Sequence, residues 1–252
     1  MIQFSLRHFL RKRFYEGAEE TVSTPFKVDV HSHLLPGIDD GTGTLDESLE
    51  ILKGFWKMGY QKIITTPHIM GDFYRNTPEI IRQKEEEVKK ALFEAGIPIV
   101  LEAAAEYYLD EWFIHLLQQR KEILTFGNKY LLFETGFANM PHQLFETIFE
   151  MQTQGYQPIL AHPERYIYLQ ENPNKLDKIV ERGVGLQINL NSLNGYYGPP
   201  AKELAEKILA NYPVKLLGSD CHKQAHLQNL RKILTLPRLQ KWNHPALLNH
   251  SL

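Results

Sequence analysis

Two histidines and three aspartates lie within the fourteen-residue stretch VDVHSHLLPGIDDG, at residues 28–41. His31 and His33 are one residue apart, so on a strand their side chains would point in the same direction. Asp220 and His222 repeat this spacing in the segment SDCH, far along the chain. Imidazole nitrogens and carboxylate oxygens are common ligands of divalent metal ions. Each pair could therefore supply one side of a metal site.

Seven short runs of apolar residues predict the strands that would position these side chains. The runs lack strict alternation of apolar and polar residues, as expected of parallel strands covered on both faces. Amphipathic stretches separate most of them, and Thr44 with Glu47 forms a capping box before the first stretch. This alternation predicts an α/β fold with a parallel sheet, and seven units without a phosphate-binding loop favour a barrel over an open sheet. The runs are FKVDVH, QKIITTPH, IPIVLEAAAEY, KYLLFETG, YQPILAHPER, VGLQINLN and VKLLGSDCH.

Six of the seven predicted strands end in a histidine, aspartate or glutamate, and the other ends in Asn189 and Asn191. All carboxyl ends of a parallel barrel lie on one face, so these groups would converge. Local hydrogen bonding explains any single one equally well, but gathered carboxylates would repel one another unless cations lay among them. Nine ligands exceed the needs of one tetrahedral ion, so the sequence predicts two or three divalent ions. The predicted ligands are His31, His33, Asp40, His68, Glu106, Glu134, His162, Asp220 and His222.

Six short motifs resemble those of the PHP superfamily of metal-dependent phosphoesterases. They are DVHSH, PGIDDG, TPH, the glutamate of AAAEYY, HPER and SDCH. The closer resemblance is to the bacterial tyrosine-protein phosphatases of capsule and exopolysaccharide loci, over roughly residues 26–235. It implies the PHP fold, a distorted seven-stranded (β/α)7 barrel that holds three divalent metal ions. Manganese is the expected metal, with iron, zinc or magnesium as alternatives.

The resemblance also implies a role for each ligand. One ion would be held by His31, His33, Glu106 and Asp220. Glu106 would bridge to a second ion, held also by Glu134 and His162, and the third ion would take Asp40, His68 and His222. Arg165, in HPER, would contact the substrate phosphate, and Asp29 and Asp39 would orient ligands without binding metal.

The implied reaction is hydrolysis of phosphotyrosine by a metal-bound hydroxide. The implied partner is a phosphotyrosine protein, namely the tyrosine kinase that controls polysaccharide export. His222 or a metal-bound water would protonate the leaving group, and Arg75, in the loop after His68, is a further candidate for substrate binding. The alternatives are a small-molecule phosphatase, such as histidinol phosphatase, and a non-catalytic metal-binding adaptor. Cys221 lacks a glycine-rich phosphate cradle, so it is predicted to be a small buried residue and not a nucleophile.

Composition and charge bear on the class of protein, its location and its domain organisation. The 252 residues carry a net charge of -2, which does not resemble the basic balance of a nucleic-acid binder. A single cysteine suits a reducing compartment and predicts a cytoplasmic location, and no apolar run predicts a transmembrane segment. Residues 1–25 are expected to be an extension that forms a short helix or a tail, with a membrane-surface helix as the alternative. Residues 26–252 are expected to be a single domain.

Overall fold

Nine short strands form the sheets of the protein in this computed structural model, which describes residues 23–237 and 239–252. The predicted N-terminal helix or tail lies almost wholly outside those residues. All seven predicted runs contain strands, but the second run holds β2 and β3, and the third holds β4 and β5. The strands are β1 (Val28–Val30), β2 (Lys62–Thr65), β3 (His68–Ile69), β4 (Val100–Ala103), β5 (Glu106–Tyr108), β6 (Tyr130–Glu134), β7 (Gln157–Ala161), β8 (Gly185–Asn189) and β9 (Val214–Gly218).

Every pairing between these strands is parallel, as predicted. One sheet has the order β1-β2-β4 and the other has the order β3-β5-β6-β7-β8-β9. Pro67, which has no N–H to donate, lies between β2 and β3. Single hydrogen bonds continue across the break, from the N–H of Ala104 to the carbonyl of Thr65 and from that of Glu106 to the carbonyl of Pro67. The two sheets are therefore joined where the second predicted run lies beside the third.

The first and last strands also lie side by side beyond their carboxyl ends. Ser32 and Cys221 form a parallel bridge, and the N–H of Asp220 donates to the carbonyl of His31 at 2.8 Å. Gly218 is needed for this approach, because a Cβ there would lie 2.4 Å from the carbonyl oxygen of Val30. The segments that carry the two predicted ligand pairs are thus held against each other.

Helices connect most of the strands. The predicted capping box is present, since Thr44 Oγ1 accepts from the N–H of Glu47 while the Glu47 carboxylate accepts from the N–H of Thr44. Within the described residues no helix is both long and apolar enough to cross a membrane. The helices are α1 (Leu45–Lys57), α2 (Pro78–Ala95), α3 (Glu111–Gln118), α4 (Leu144–Thr153), α5 (Ile167–Glu171), α6 (Lys175–Val180), α7 (Pro199–Asn211), α8 (Gln224–Leu234) and α9 (Leu239–Trp242).

In the described part of the chain, two groups of buried apolar side chains form the core. The larger group joins the helices to the outer faces of the strands, for example Phe55 of α1 and Ile148 of α4. The smaller group gathers side chains from β1, β2, β6, β7 and β9, which are not all neighbours in the sheets. It consists of Val28, Val30, Ile64, Ala104, Phe126, Leu132, Ile159, Ala161 and Leu216.

Candidate metal centre

The structure brings all nine predicted ligands together at the carboxyl ends of the strands. Each belongs to at least one group of three or four side chains whose potential ligand atoms all lie within 4.8 Å of one another. Among the residues that the structure describes there are four such groups, and they share His31, His33, His68 and Glu106. Side chains from distant parts of the chain therefore form one continuous cluster, as expected from the parallel topology.

Glu106 lies at the centre of this cluster and is fully buried. Its Oε2 lies 3.1 Å from Nε2 of His31, 3.4 Å from Nε2 of His33 and 3.3 Å from Nδ1 of His68. Its Oε1 lies 3.1 Å from Nε2 of His162. One carboxylate thus contacts four imidazoles, which is an arrangement suited to a bridging metal ligand.

Several inward-facing atoms of the cluster fit a metal because they make no well-aligned hydrogen bond within the described structure. They include Nε2 of His31, Nε2 of His33, Nδ1 of His68 and Oε2 of Glu106. A buried polar atom without a partner costs roughly 1–3 kcal/mol, so such atoms in a group call for an explanation. Coordination of divalent cations by these nitrogen and oxygen donors would satisfy them together.

Two histidines are oriented by hydrogen bonds on their outer nitrogens. Nδ1 of His31 donates to Oε1 of Gln187 at 2.8 Å, and Nδ1 of His33 donates to Oδ2 of Asp39 at 2.7 Å. These bonds leave Nε2 of each ring as the atom that faces the cluster. Such outer contacts commonly set the tautomer and direction of metal-binding histidines.

The backbone of the site adopts unusual conformations. Among the described residues, five that are not glycine have positive φ, and three of these are predicted ligands: His31 at 90°, His162 at 31° and Asp220 at 47°. Such values are uncommon for residues with a Cβ and persist where the surrounding structure enforces them. Their grouping at one site is typical of a functional centre.

The charges of the cluster also favour bound cations. Burial, together with the negative charge of Glu106, raises the pKa of Glu134 well above its ordinary value. Burial and the neighbouring His33 lower the pKa of His68 to about 4, and burial with Arg165 lowers that of His162 to about 4. Neutral imidazole is the form that binds metal, and cations would offset the repulsion between the carboxylates.

Seven of the nine predicted ligands, all except His31 and His33, line a cavity of about 370 Å³. On its outer side, Oδ1 of the half-exposed Asp40 lies 3.4 Å from Nε2 of His68 and 3.3 Å from Nε2 of His222. Arg165 also lines the cavity, and its guanidinium lies between the rings of Phe137 and Tyr197, at 4.9 and 4.3 Å from their centroids. A cation therefore stands beside the predicted metal ligands, where an anionic substrate would enter.

Arg75 differs from Arg165, because the structure does not place it among the residues that line the cavity. Its Nε donates to the carbonyl of Gly71, and its guanidinium lies 5.7 Å from the ring centroid of Trp112. Cys221 is fully buried, as predicted, and burial raises the pKa of its thiol well above the ordinary value.

Some residues of the site were not predicted from the sequence. Gln187, which orients His31, also accepts from the N–H of His162 at 3.1 Å. The sequence signal that could have identified Gln187 is its place as a polar residue inside the apolar run VGLQINLN. His226 is another such residue of the site, since its Nδ1 accepts from the N–H of His222 at 3.2 Å. Its position four residues beyond His222, on the first turn of α8, offered a weaker signal.

Comparison with known proteins gives the family. A family model described as "Capsular polysaccharide synthesis, CpsB/CapC" matches residues 27–234. The tyrosine-protein phosphatase YwqE of Bacillus subtilis is 31% identical over 195 residues, which cover 77% of each chain.

Solved structures agree with this match. One from a set of YwqE of Bacillus subtilis and CpsB of Streptococcus pneumoniae, described as metal-dependent tyrosine phosphatases, gives a TM-score of 0.75 at 30% identity and covers 82% of this chain and 85% of that one. Histidinol phosphate phosphatase of Lactococcus lactis, at 15% identity, has a similar fold, with a TM-score of 0.57 and coverage of 88% and 95%. The chain belongs to the CpsB/CapC family of capsular polysaccharide synthesis proteins.

Proposed function

We propose that the protein is a metal-dependent protein-tyrosine phosphatase, and that the cavity above Glu106 is its active site. The observation that carries the proposal is the convergence of all nine predicted ligands into one cluster, seven of which line that cavity together with Arg165. The names of the relatives support the same activity, since YwqE is a tyrosine-protein phosphatase. Hydrolysis of phosphoric monoesters is a reaction that clusters of divalent ions catalyse.

Two of the three proposed ligand sets overlap with groups of side chains in the structure, which supports them. His31, His33 and Asp220 form one group beside Glu106, and Asp40, His68 and His222 form another together with His33. His162 approaches Glu134 at 3.7 Å and Glu106 at 3.1 Å, which supports the set proposed for the second ion. We propose three ions, with manganese as the expected metal. When bound, such ions lower the pKa of water to near 7 and offset the charge of phosphoryl oxygens.

The chain's own residues would bind and orient the substrate. The guanidinium of Arg165 can hold two phosphate oxygens in a planar fork, which an ammonium group cannot. Its hydrogen bond to Asp220 and the two flanking rings hold it in place before substrate arrives. The leaving tyrosine phenolate, whose conjugate acid has a pKa near 10, needs less help from a proton donor than an alkoxide would.

His222 was predicted both as a ligand and as the proton donor, and its contacts favour the first role. Its Nδ1 lies 3.0 Å from the carbonyl oxygen of Asp220, so this nitrogen carries the proton and donates it. Nε2, which faces Asp40, is then the lone-pair nitrogen that a metal would use. We propose His222 as a ligand.

We also propose a closed (β/α)7 barrel formed by a single domain over residues 26–252. The contacts between β1 and β9 support it, as does the smaller apolar group, because a flat sheet would keep Val30 and Ile159 several strands apart. A cytoplasmic location remains our expectation from the single cysteine. The physiological substrate we propose is a phosphotyrosine protein, namely a tyrosine kinase of polysaccharide export.

A panel of substrates tests the activity. Purified protein with manganese would be given a phosphotyrosine peptide, p-nitrophenyl phosphate and histidinol phosphate. We expect the phosphotyrosine peptide to be hydrolysed and histidinol phosphate to be poor. Faster turnover of histidinol phosphate would indicate a small-molecule phosphatase, and no turnover of any ester at full metal occupancy would indicate an adaptor. Glu106→Gln is the matched control, since it should lose both bound metal and activity.

A further inference from the structure

Two aromatic rings flank the predicted metal ligands. The ring of Tyr74 lies nearly parallel to that of His68, with centroids 5.8 Å apart and planes 13° apart. The ring of Phe137 lies nearly parallel to that of His162, at 6.0 Å and 16°. His68 contacts Oε2 of Glu106, whereas His162 contacts Oε1. The two aromatic rings therefore stand over different sides of the cluster.

Both rings line the cavity, and Phe73 joins them there. We call these three residues the aromatic rim. Phe73 is 76% exposed and Phe137 is 40% exposed, so neither is used mainly to build the core. The floor of the same cavity is polar and includes Glu106, Glu134 and Asp220. Exposed apolar side chains around a polar floor are typical of a surface that binds a ligand.

The segment that carries Phe73 and Tyr74 is held in place by hydrogen bonds. The N–H of Met70 donates to the carbonyl of Tyr74, and that of Tyr74 donates to the carbonyl of Met70. The amide of Asn76 donates to the carbonyls of Ile38 and His68, at 2.9 and 2.8 Å. The backbone that carries Phe73 and Tyr74 is thus fixed to the strand end that carries His68, so little ordering of this segment is required when a ligand binds.

We infer that the aromatic rim binds the aryl ring of the phosphoester and makes the site selective for aryl over alkyl phosphates. This inference rests on the proposed function, because it assumes that the phosphate binds at the polar floor. A phosphotyrosine ring would then lie among the rings of the rim, whereas phosphoserine has no group to place there. Stacked or edge-on aromatic pairs stabilise a complex by about 2- to 10-fold in affinity per ring.

Two inhibitors test the rim in the manganese-loaded protein. Inorganic phosphate would occupy only the floor, while benzylphosphonate would occupy the floor and the rim. Calorimetric binding and competitive inhibition of p-nitrophenyl phosphate turnover would both be measured. For Phe73→Ala we expect benzylphosphonate to bind about 2- to 10-fold more weakly and inorganic phosphate to bind as in the wild type. Phe73→Tyr, which keeps a ring, should retain wild-type binding.

Phe93→Ala is the matched control, because Phe93 is 86% exposed on α2 and does not line the cavity. Equal weakening of both inhibitors by Phe73→Ala would overturn the inference, as would no effect on either. In a second variant, Tyr74→Leu, the same comparison should give the same result. Failure of the wild type to hydrolyse phosphotyrosine would refute the proposed function, whereas the preference for benzylphosphonate would still be tested by direct binding.

Discussion

Nη1 of Arg165 donates to Oδ2 of Asp220 at 2.6 Å, while Oδ1 of that carboxylate lies 3.4 Å from Nε2 of His31. Asn189 donates to the same Oδ2 at 2.8 Å. Asp220 therefore connects the cation at the cavity wall to the predicted metal ligands. Because a guanidinium has five N–H donors, this bond leaves others for a phosphate.

Replacing Arg165 should reduce catalysis without removing the metal. We expect Arg165→Ala to lower kcat/KM for a phosphotyrosine peptide by about 10²- to 10³-fold, since a fixed donor to the reacting phosphate is lost. Arg165→Lys should recover little, because an ammonium cannot form the same fork. Metal content, measured on the purified variants, should equal that of the wild type. A variant that lost its metal would show that Arg165 holds the cluster together instead of binding substrate.

Asp39 should control metal affinity through His33. Its Oδ2 accepts from Nδ1 of His33 at 2.7 Å and from the N–H of His68 at 3.1 Å. We expect Asp39→Asn to weaken manganese binding by about 10- to 100-fold, because the orientation and basicity of the imidazole change. Competition with a metal-binding dye would measure the affinity. Asp72→Asn, at an exposed acidic residue nearby, is the control and should bind manganese normally.

The cluster could be predicted because parallel strands place their carboxyl ends on one face, so a histidine or carboxylate after each run is informative in itself. For this reason, His162 and Asp220 could be predicted as ligands without any knowledge of packing. The breaks in the second and third runs could not be predicted in the same way. Pro67 was visible, but the hydrogen bonds of Ala104 and Glu106 that continue the pairing depend on how the neighbouring segment bends.

The outer residues of the site were harder to predict, because they act through distant partners. Gln187 reaches His31 across 156 positions of the chain, and sequence spacing contains no trace of that contact. Phe137 and Tyr74 lie in loops that follow strands, and this position does not distinguish them from other loop residues. Their parallel arrangement against His162 and His68 becomes apparent only in three dimensions.

Stability should depend on pH through Glu164. Burial raises the pKa of this carboxyl from its ordinary value of 4.5 to about 7, although its Oε1 accepts from Ser192 and from the N–H of Asn189. The native state therefore keeps the proton between these values while the unfolded state releases it. The contribution of Glu164 to the free energy of unfolding is fully present below pH 4.5. It falls as the pH rises towards 7, by up to about 3 kcal/mol.

Glu164→Gln removes this titration while keeping an oxygen for Ser192 and Asn189. We expect urea unfolding to show that the variant gains stability relative to the wild type on going from pH 5 to pH 8. Contributions from other titrating groups cancel in the difference. If the two proteins differed in free energy of unfolding by the same amount at pH 5 and pH 8, Glu164 would have to be ionised in the native state across this range.

Asn249 should be important for stability because it joins the first and last strands. Its Nδ2 donates to the carbonyls of Val28 and Leu217, both at 2.9 Å, and its Oδ1 accepts from the N–H of Leu217 at 3.0 Å. The side chain is fully buried. Asn249→Leu would remove three buried hydrogen bonds, so we expect the free energy of unfolding to fall by about 3 kcal/mol.

Ser251→Ala is the control for this variant, since Ser251 is exposed and its hydroxyl donates a long hydrogen bond, 3.4 Å, to the carbonyl of Leu248. Its free energy of unfolding should stay within about 0.5 kcal/mol of the wild type. Urea denaturation of the metal-free proteins would give both values. If Asn249→Leu proved as stable as the control, the contacts between β1 and β9 would have to be maintained by their backbone bonds and Gly218 alone. If it is destabilised as expected, manganese affinity should fall as well, because the segments joined here carry His31, His33, Asp220 and His222.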